Sequence, residues 1–68
     1  MKLKEIKASE KAFLTPNDVS EVLQCKPYSI NVALKAGQKM PFPCFLLGSR
    51  VKIPRLPFVA YAEENGLE

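Results

Sequence analysis

Prolines divide this sequence into segments too short for long helices or strands. Proline lacks a backbone N–H and fixes φ near −65°, so it is tolerated in the first turn of a helix but not in its interior. We therefore expect short helices that begin at prolines, and a non-helical link over residues 38–43, where two prolines stand close together. The prolines that decide these boundaries are Pro16, Pro27, Pro41, Pro43 and Pro54.

The first predicted helix spans residues 16–24. Thr15 is a good N-cap, and Asp18 three residues later resembles a capping box with a shortened acid. Leu14 and Val19 occupy the hydrophobic-staple positions on either side of the cap. These features agree on where the helix begins.

The second predicted helix spans residues 27–36. Ile30, Ala33 and Leu34 form its apolar stripe, and Gly37 is a natural residue to follow its C-cap. Two short helices joined by a three-residue turn form a helix-turn-helix candidate, in which the second helix enters a DNA major groove. A plain corner between two helices is the alternative.

A β-hairpin is predicted from residues 44–47 and 51–53, with two registers open. A two-residue Gly-Ser turn pairs Leu46 with Val51, whereas a three-residue loop pairs Leu47 with Val51. We prefer the three-residue loop because it buries the larger side chains and leaves Leu46 outward.

A third helix follows Pro54. Phe58, Tyr61 and Ala62 share one face of it, and Gly66 is the expected stop. The predicted fold class is therefore α+β, with two helices, a two-stranded hairpin and a C-terminal helix in that order.

The absence of histidine excludes most catalytic and metal sites. A serine or cysteine nucleophile lacks its usual base, and Cys25 and Cys44 do not form a CxxC pair. We expect both cysteines to be small buried hydrophobes, and a cytosolic setting disfavours a disulfide between them. No glycine spacing suits a phosphate loop. We predict no enzyme, no metal and no cofactor.

Charge is unevenly distributed along the chain. The net charge is +3, and residues 12–58 carry six basic against two acidic side chains. Such an asymmetry fits a polyanion-binding face. No apolar run approaches the roughly 20 residues of a membrane span, and no secretory signal is visible, so we expect a cytoplasmic protein without membrane contact.

Three segments are expected. Residues 1–11 are basic and predicted to be a disordered tail, with a groove-seeking arm as the alternative. Residues 12–66 form the folded domain. Residues 67–68, Leu-Glu, are typical of a junction to an affinity tag.

The segment Phe45–Arg55, FLLGSRVKIPR, carries a family likeness. It looks like a wing followed by an Ile-Pro-Arg entry into the last helix. With it, the chain resembles the small excisionases, winged helix-turn-helix proteins related to MerR-type DNA-binding domains. The likeness covers roughly residues 13–62, and its other matching segments are Leu14-Thr15, Val19–Cys25 and Ser29-Ile30.

The resemblance implies a small winged helix-turn-helix fold that binds double-stranded DNA. Such excisionases bend attachment-site DNA and help a site-specific recombinase to excise a phage or mobile element, without catalysis of their own. Relatives with this domain are transcription regulators, so that role is an alternative. We expect a monomer in solution that binds cooperatively to tandem sites.

The expected DNA contacts lie in two groups. On the second helix, outward residues are expected to contact the DNA backbone and the bases. Among them, the Asn31 amide is suited to paired hydrogen bonds with adenine. The set is Tyr28, Ser29, Asn31, Val32 and Lys35. On the wing and its flanks, Arg50 is the candidate for minor-groove insertion, and the full set is Lys39, Ser49, Arg50, Lys52 and Arg55.

The chain departs from the family's pattern in two places along the second helix. Lys26-Pro27 stand where serine and arginine often begin the second helix, and Val32 stands where arginine is frequent. Recognition of the DNA base sequence by this helix is then either weak or made through contact of Val32 with a thymine methyl group. A protein-interaction module is the competing hypothesis, with Val32, Phe42 and Leu46 as an exposed apolar patch.

Overall fold

The computed structural model describes residues 1–67, which form four helices and a three-stranded antiparallel sheet. The small α+β fold class is therefore confirmed, whereas the interpretation of residue 68 lies outside the described residues. The elements, in chain order, are α1 (Leu3–Ala8), β1 (Phe13–Leu14), α2 (Pro16–Leu23), α3 (Pro27–Lys35), β2 (Phe45–Leu47), β3 (Arg50–Pro54) and α4 (Arg55–Glu64).

Helix α2 begins as its sequence predicts. The backbone N–H of Asp18 donates to the Thr15 hydroxyl at 3.3 Å, and the N–H of Thr15 donates to the Asp18 carboxylate at 3.0 Å. This reciprocal pair satisfies two donors that a helix start would otherwise leave unpaired. Leu14 and Val19 are both fully buried, as the staple requires.

The turn between α2 and α3 contains a non-glycine residue in the left-handed region. Gln24 has φ 54° and ends α2, after which Pro27 begins α3. At the far end of α3, Gly37 has φ 79° and donates to the Leu34 carbonyl, while Gln38 donates to Ala33. This Schellman arrangement confirms Gly37 as the residue that terminates the helix.

The hairpin register differs from the preferred prediction. Leu46 pairs with Val51 and Leu47 with Arg50, so the loop is the two-residue Gly48-Ser49 turn. The expected pairing of Leu47 with Val51 is wrong. Glycine at φ 63° makes the tight turn accessible. In this register Leu46 faces the same side as the buried Val51, whereas Phe45 and Leu47 face outward.

Strand β1 is a short element that the sequence analysis did not predict. Phe13 pairs with Pro54 and Leu14 with Ile53, which gives the strand order β1-β3-β2. Two residues are too few for a visible alternation of polar and apolar side chains. The pairing places Leu14 in the core directly before the α2 cap.

The N-terminal segment is a helix packed on the domain, so the prediction of a disordered tail over residues 1–11 is wrong. Leu3 and Ile6 of α1 are buried, with 6% and 0% of their surfaces exposed. The helix lies against α4, where the Lys7 ammonium is 2.6 Å from the Glu63 carboxylate. Burial of the two apolar side chains outweighs the repulsion among the lysines, which lie on the solvent side.

Helix α4 closes the core. Phe58 and Ala62 are fully buried, and Tyr61 is half-buried beside them, as the predicted face requires. Phe42 packs edge to face on Phe58, with 5.1 Å between ring centroids, and is itself buried. The suggested exposed patch of Val32, Phe42 and Leu46 therefore does not form as predicted, because Phe42 belongs to the core.

Candidate nucleic-acid interface

A surface depression of about 250 Å³ lies between the start of α2, helix α3 and the hairpin. It brings together four of the residues predicted to contact DNA, although they come from two separate segments of the chain. The residues that line it are Thr15, Pro16, Asn17, Asn31, Ser49, Arg50, Val51 and Lys52. Two basic residues of the hairpin, Arg50 and Lys52, therefore line the same depression as Asn31 of α3.

The beginning of α2 also borders this depression. Thr15 and Asn17 stand at this end of α2 and were not among the predicted contact residues. Their signal in the sequence was the N-cap itself, which predicted a helix start but not what the start would face.

Asn31 is half-buried, and its side-chain amide already has one partner. Its Nδ2 donates to the Pro27 carbonyl of the same helix at 3.1 Å. This bond orients the side chain and leaves its carbonyl oxygen, together with the second amide hydrogen, for an incoming ligand. Asn31 lines the depression and is half-buried, whereas an outward position was predicted.

The other predicted α3 contacts are exposed. Tyr28 shows 75% of its surface to solvent and Val32 shows 45%, while Ser29 and Lys35 are exposed as well. An exposed tyrosine carries a phenol group able to hydrogen-bond a phosphate oxygen. Lys39 is also exposed, in the link after α3.

Arg55 occupies a different environment from the other predicted contacts. Its Nε donates to the Lys11 carbonyl at 2.8 Å, and its terminal nitrogen donates to the Lys7 carbonyl at 3.4 Å. The guanidinium therefore ties the N-terminal segment to the start of α4, away from the depression that Arg50 and Lys52 line. These bonds give Arg55 a structural role at this junction, and its contact with DNA stays a prediction.

Asp18 is the acidic group that supports the start of α2. Although partial burial by itself raises its pKa, the hydrogen bonds from Thr15 and the Lys11 ammonium at 3.3 Å together hold the pKa of Asp18 below its usual value. The carboxylate therefore stays ionised at neutral pH. Its charge is engaged by the cap and by Lys11.

The two cysteines are free and half-buried. Burial raises the pKa of the Cys44 thiol, which keeps it protonated and poorly nucleophilic near neutral pH. Within residues 1–67, no group of three or more cysteine or acidic side chains is placed to hold a metal ion.

Comparison with known proteins adds no relative: no family model, no curated protein and no solved structure matches this chain. In the part of the chain that the structure describes, no helix has the length and apolar character to cross a bilayer.

Proposed function

We propose that this protein is a winged helix-turn-helix domain that binds duplex DNA. In this arrangement α3 enters the major groove, and the β2–β3 hairpin acts as a wing over the neighbouring minor groove and phosphates. The proposal is supported most directly by the depression that Asn31 shares with Ser49, Arg50 and Lys52. Residues from a helix and a hairpin, two of them cationic, thus line one depression.

Each group has a role in this proposal that follows from its chemistry. Arg50 lies beside the tight turn at the tip of the hairpin, where a guanidinium reaches furthest into a narrow minor groove. Lys52, Lys35 and Lys39 neutralise phosphates. Asn31 and Val32 face base edges, as amide and methyl contacts respectively.

We further propose an excisionase-type architectural role, in which the bound protein bends its site and a site-specific recombinase completes the reaction. This part of the proposal rests on the resemblance of the hairpin segment FLLGSRVKIPR to the wing of that family. A transcription regulator with the same DNA contacts would bind without needing to bend its operator.

The first experiment selects duplexes from a random-sequence pool with the full-length protein and then measures their affinity by fluorescence anisotropy across a salt series. We expect log affinity to fall linearly with log salt concentration, with a slope of about −3 to −6 for several phosphate contacts. Failure to enrich any duplex at low salt would overturn the proposal.

Arg50→Ala is the matched test of the wing. It should weaken binding and make the salt slope shallower by about 1, since one ionic contact is lost. Lys4→Ala removes the same charge from exposed α1 and should leave both slope and affinity nearly unchanged. Equal losses in the two variants would indicate a non-specific charge effect.

DNA bending is required for the architectural role, whereas a transcription regulator acts with or without it. The selected site is placed at different positions along a fragment, and the mobility of each complex is measured on a native gel. A mobility that depends on site position indicates a bend. Uniform mobility would remove the excisionase-type role while leaving DNA binding intact.

A further inference from the structure

The outer face of the sheet exposes an apolar surface that the proposed DNA contacts do not explain. Partners across antiparallel strands share a face, so the pairs Phe13–Pro54, Phe45–Lys52 and Leu47–Arg50 all lie on the side opposite the buried Val51 and Ile53. This face thus carries two aromatic rings and a leucine beside two cations.

The rings join the two outer strands of the sheet. Phe13 and Phe45 meet edge to face, with 5.7 Å between their centroids, while 46% and 42% of their surfaces stay exposed. Leu47 is 64% exposed on the same face. A compact chain has no need to leave these side chains adjacent and in water, because contiguous apolar exposure is costly.

The surface continues beyond the sheet to the start of α4. A second depression, of about 270 Å³, is lined mainly by apolar residues and has Phe13 and Leu56 on its rim. Leu56 is 68% exposed. We define the outer apolar surface as Phe13, Phe45, Leu47 and Leu56.

The charges that border the outer apolar surface are basic. Arg50 and Lys52 stand on the sheet face, and neither forms an ion pair within residues 1–67. Lys11 and Arg55 line the depression beside Leu56, where they are already engaged by Asp18 and by backbone carbonyls. The charge available to a ligand therefore comes from Arg50 and Lys52.

We propose that the outer apolar surface docks a segment of a partner protein that combines apolar and acidic side chains. Leucines offer no ring for base stacking and no donor for a phosphate, so Leu47 and Leu56 favour a protein over a nucleic acid. A symmetric contact between two copies of this face would bury Arg50 and Lys52 of both copies without an acidic partner from the outer apolar surface, which disfavours a dimer.

The docking surface and the proposed DNA site share Arg50 and Lys52 but differ in their apolar residues. Leu56 lines the depression beside Phe13 and not the one that α3 and the hairpin border. Changes at Leu56 therefore test docking without altering the proposed DNA contacts.

The test is selection of peptides from a random dodecamer library displayed on phage, with the full-length protein immobilised. We expect the selected peptides to be enriched in leucine or phenylalanine together with aspartate or glutamate. One enriched peptide is then synthesised, and its affinity is measured by fluorescence polarisation. It should bind the Leu47→Ser/Leu56→Ser variant at least tenfold more weakly than the unaltered protein. Val32→Ser, a comparable polar replacement at an exposed position of α3, should bind the peptide as tightly as the unaltered protein does.

Several outcomes would overturn the proposal. They are a library that yields no enriched peptide, enrichment of basic peptides, or equal affinity for the variant and the unaltered protein. A dimer in sedimentation velocity that Leu56→Ser dissociates would identify a second copy as the occupant instead. Leu56→Ser should leave duplex DNA affinity unchanged, so docking and DNA binding fail or succeed separately.

Discussion

Phe13 and Phe45 pack edge to face across the outer side of the sheet, although β1 and β2 are not neighbours in it. Their rings span β3, which lies between the two strands. The contact thus joins β1, which leads directly into α2, to the hairpin. It does so on the face that also carries Arg50 and Lys52.

This contact should contribute measurably to stability. Aromatic pairs of this geometry are worth about 0.5–1.5 kcal/mol beyond simple burial. A double-mutant cycle of Phe13→Leu and Phe45→Leu, measured by urea unfolding, should give a coupling energy in that range. Strictly additive effects of the two substitutions would show that the rings are adjacent without stabilising each other.

Helix α1 should be an integral part of the domain. Ile6 is fully buried, so Ile6→Ala should reduce the free energy of unfolding by about 2–5 kcal/mol through lost burial and the cavity left behind. Because that loss is enough to unfold a small domain, Ile6→Val, at about 0.5–1.5 kcal/mol, provides the milder measurement. Lys4→Ala on the exposed side is the control, and equal effects of Ile6→Val and Lys4→Ala would contradict the packing of α1.

Gln24 should be a site of local strain. A left-handed conformation costs an L-residue roughly 1–2 kcal/mol, and glycine avoids that cost while losing more freedom on folding. We expect Gln24→Gly to stabilise the protein by about 0.5–1 kcal/mol in urea or thermal unfolding. Gln24→Ala keeps the unfavourable geometry and should give no gain. A destabilised Gln24→Gly variant would mean that the Gln24 side chain makes a compensating contact.

Asp18 should make stability depend on acid pH. Since its pKa is lower in the folded protein than in the unfolded chain, where it is about 3.9, its contribution is complete above that value. The contribution disappears as the pH falls through the folded-state pKa. Asp18→Asn should therefore be less stable than the unaltered protein at pH 6, by about 0.3–1 kcal/mol for a carboxylate in a first helical turn.

The comparison of the two proteins across pH tests this explanation. Their difference in unfolding free energy should shrink between pH 5 and pH 2, as Asp18 takes up its proton. Glu10→Gln, a matched charge removal at an exposed position outside the cap, should not show that trend as strongly. A constant difference between Asp18→Asn and the unaltered protein would assign the effect to hydrogen bonding alone.

Helix boundaries were predictable because their causes are local. The Thr15 cap, Pro27 at the start of α3 and the left-handed glycines after α3 and α4 act through neighbouring backbone groups. Each such signal spans a few residues, so the sequence contains all of it. The same holds for the face that Phe58 and Ala62 share on α4.

Only tertiary packing decided the features that depend on distant partners. The lysine-rich N-terminal segment was predicted to be disordered, but Leu3 and Ile6 are buried in a helix that packs on α4. Phe42 was predicted to be exposed, but it packs on Phe58 in the core. The hairpin register illustrates the same limit, because a slip of one residue exchanges the two faces of a strand. Local pattern allowed either register, and the folded structure adopts the one with the two-residue turn. This register also places Phe45, Leu47, Arg50 and Lys52 together on the outer face. That arrangement depends on the pairing of β2 with β3, and neither strand determines it alone.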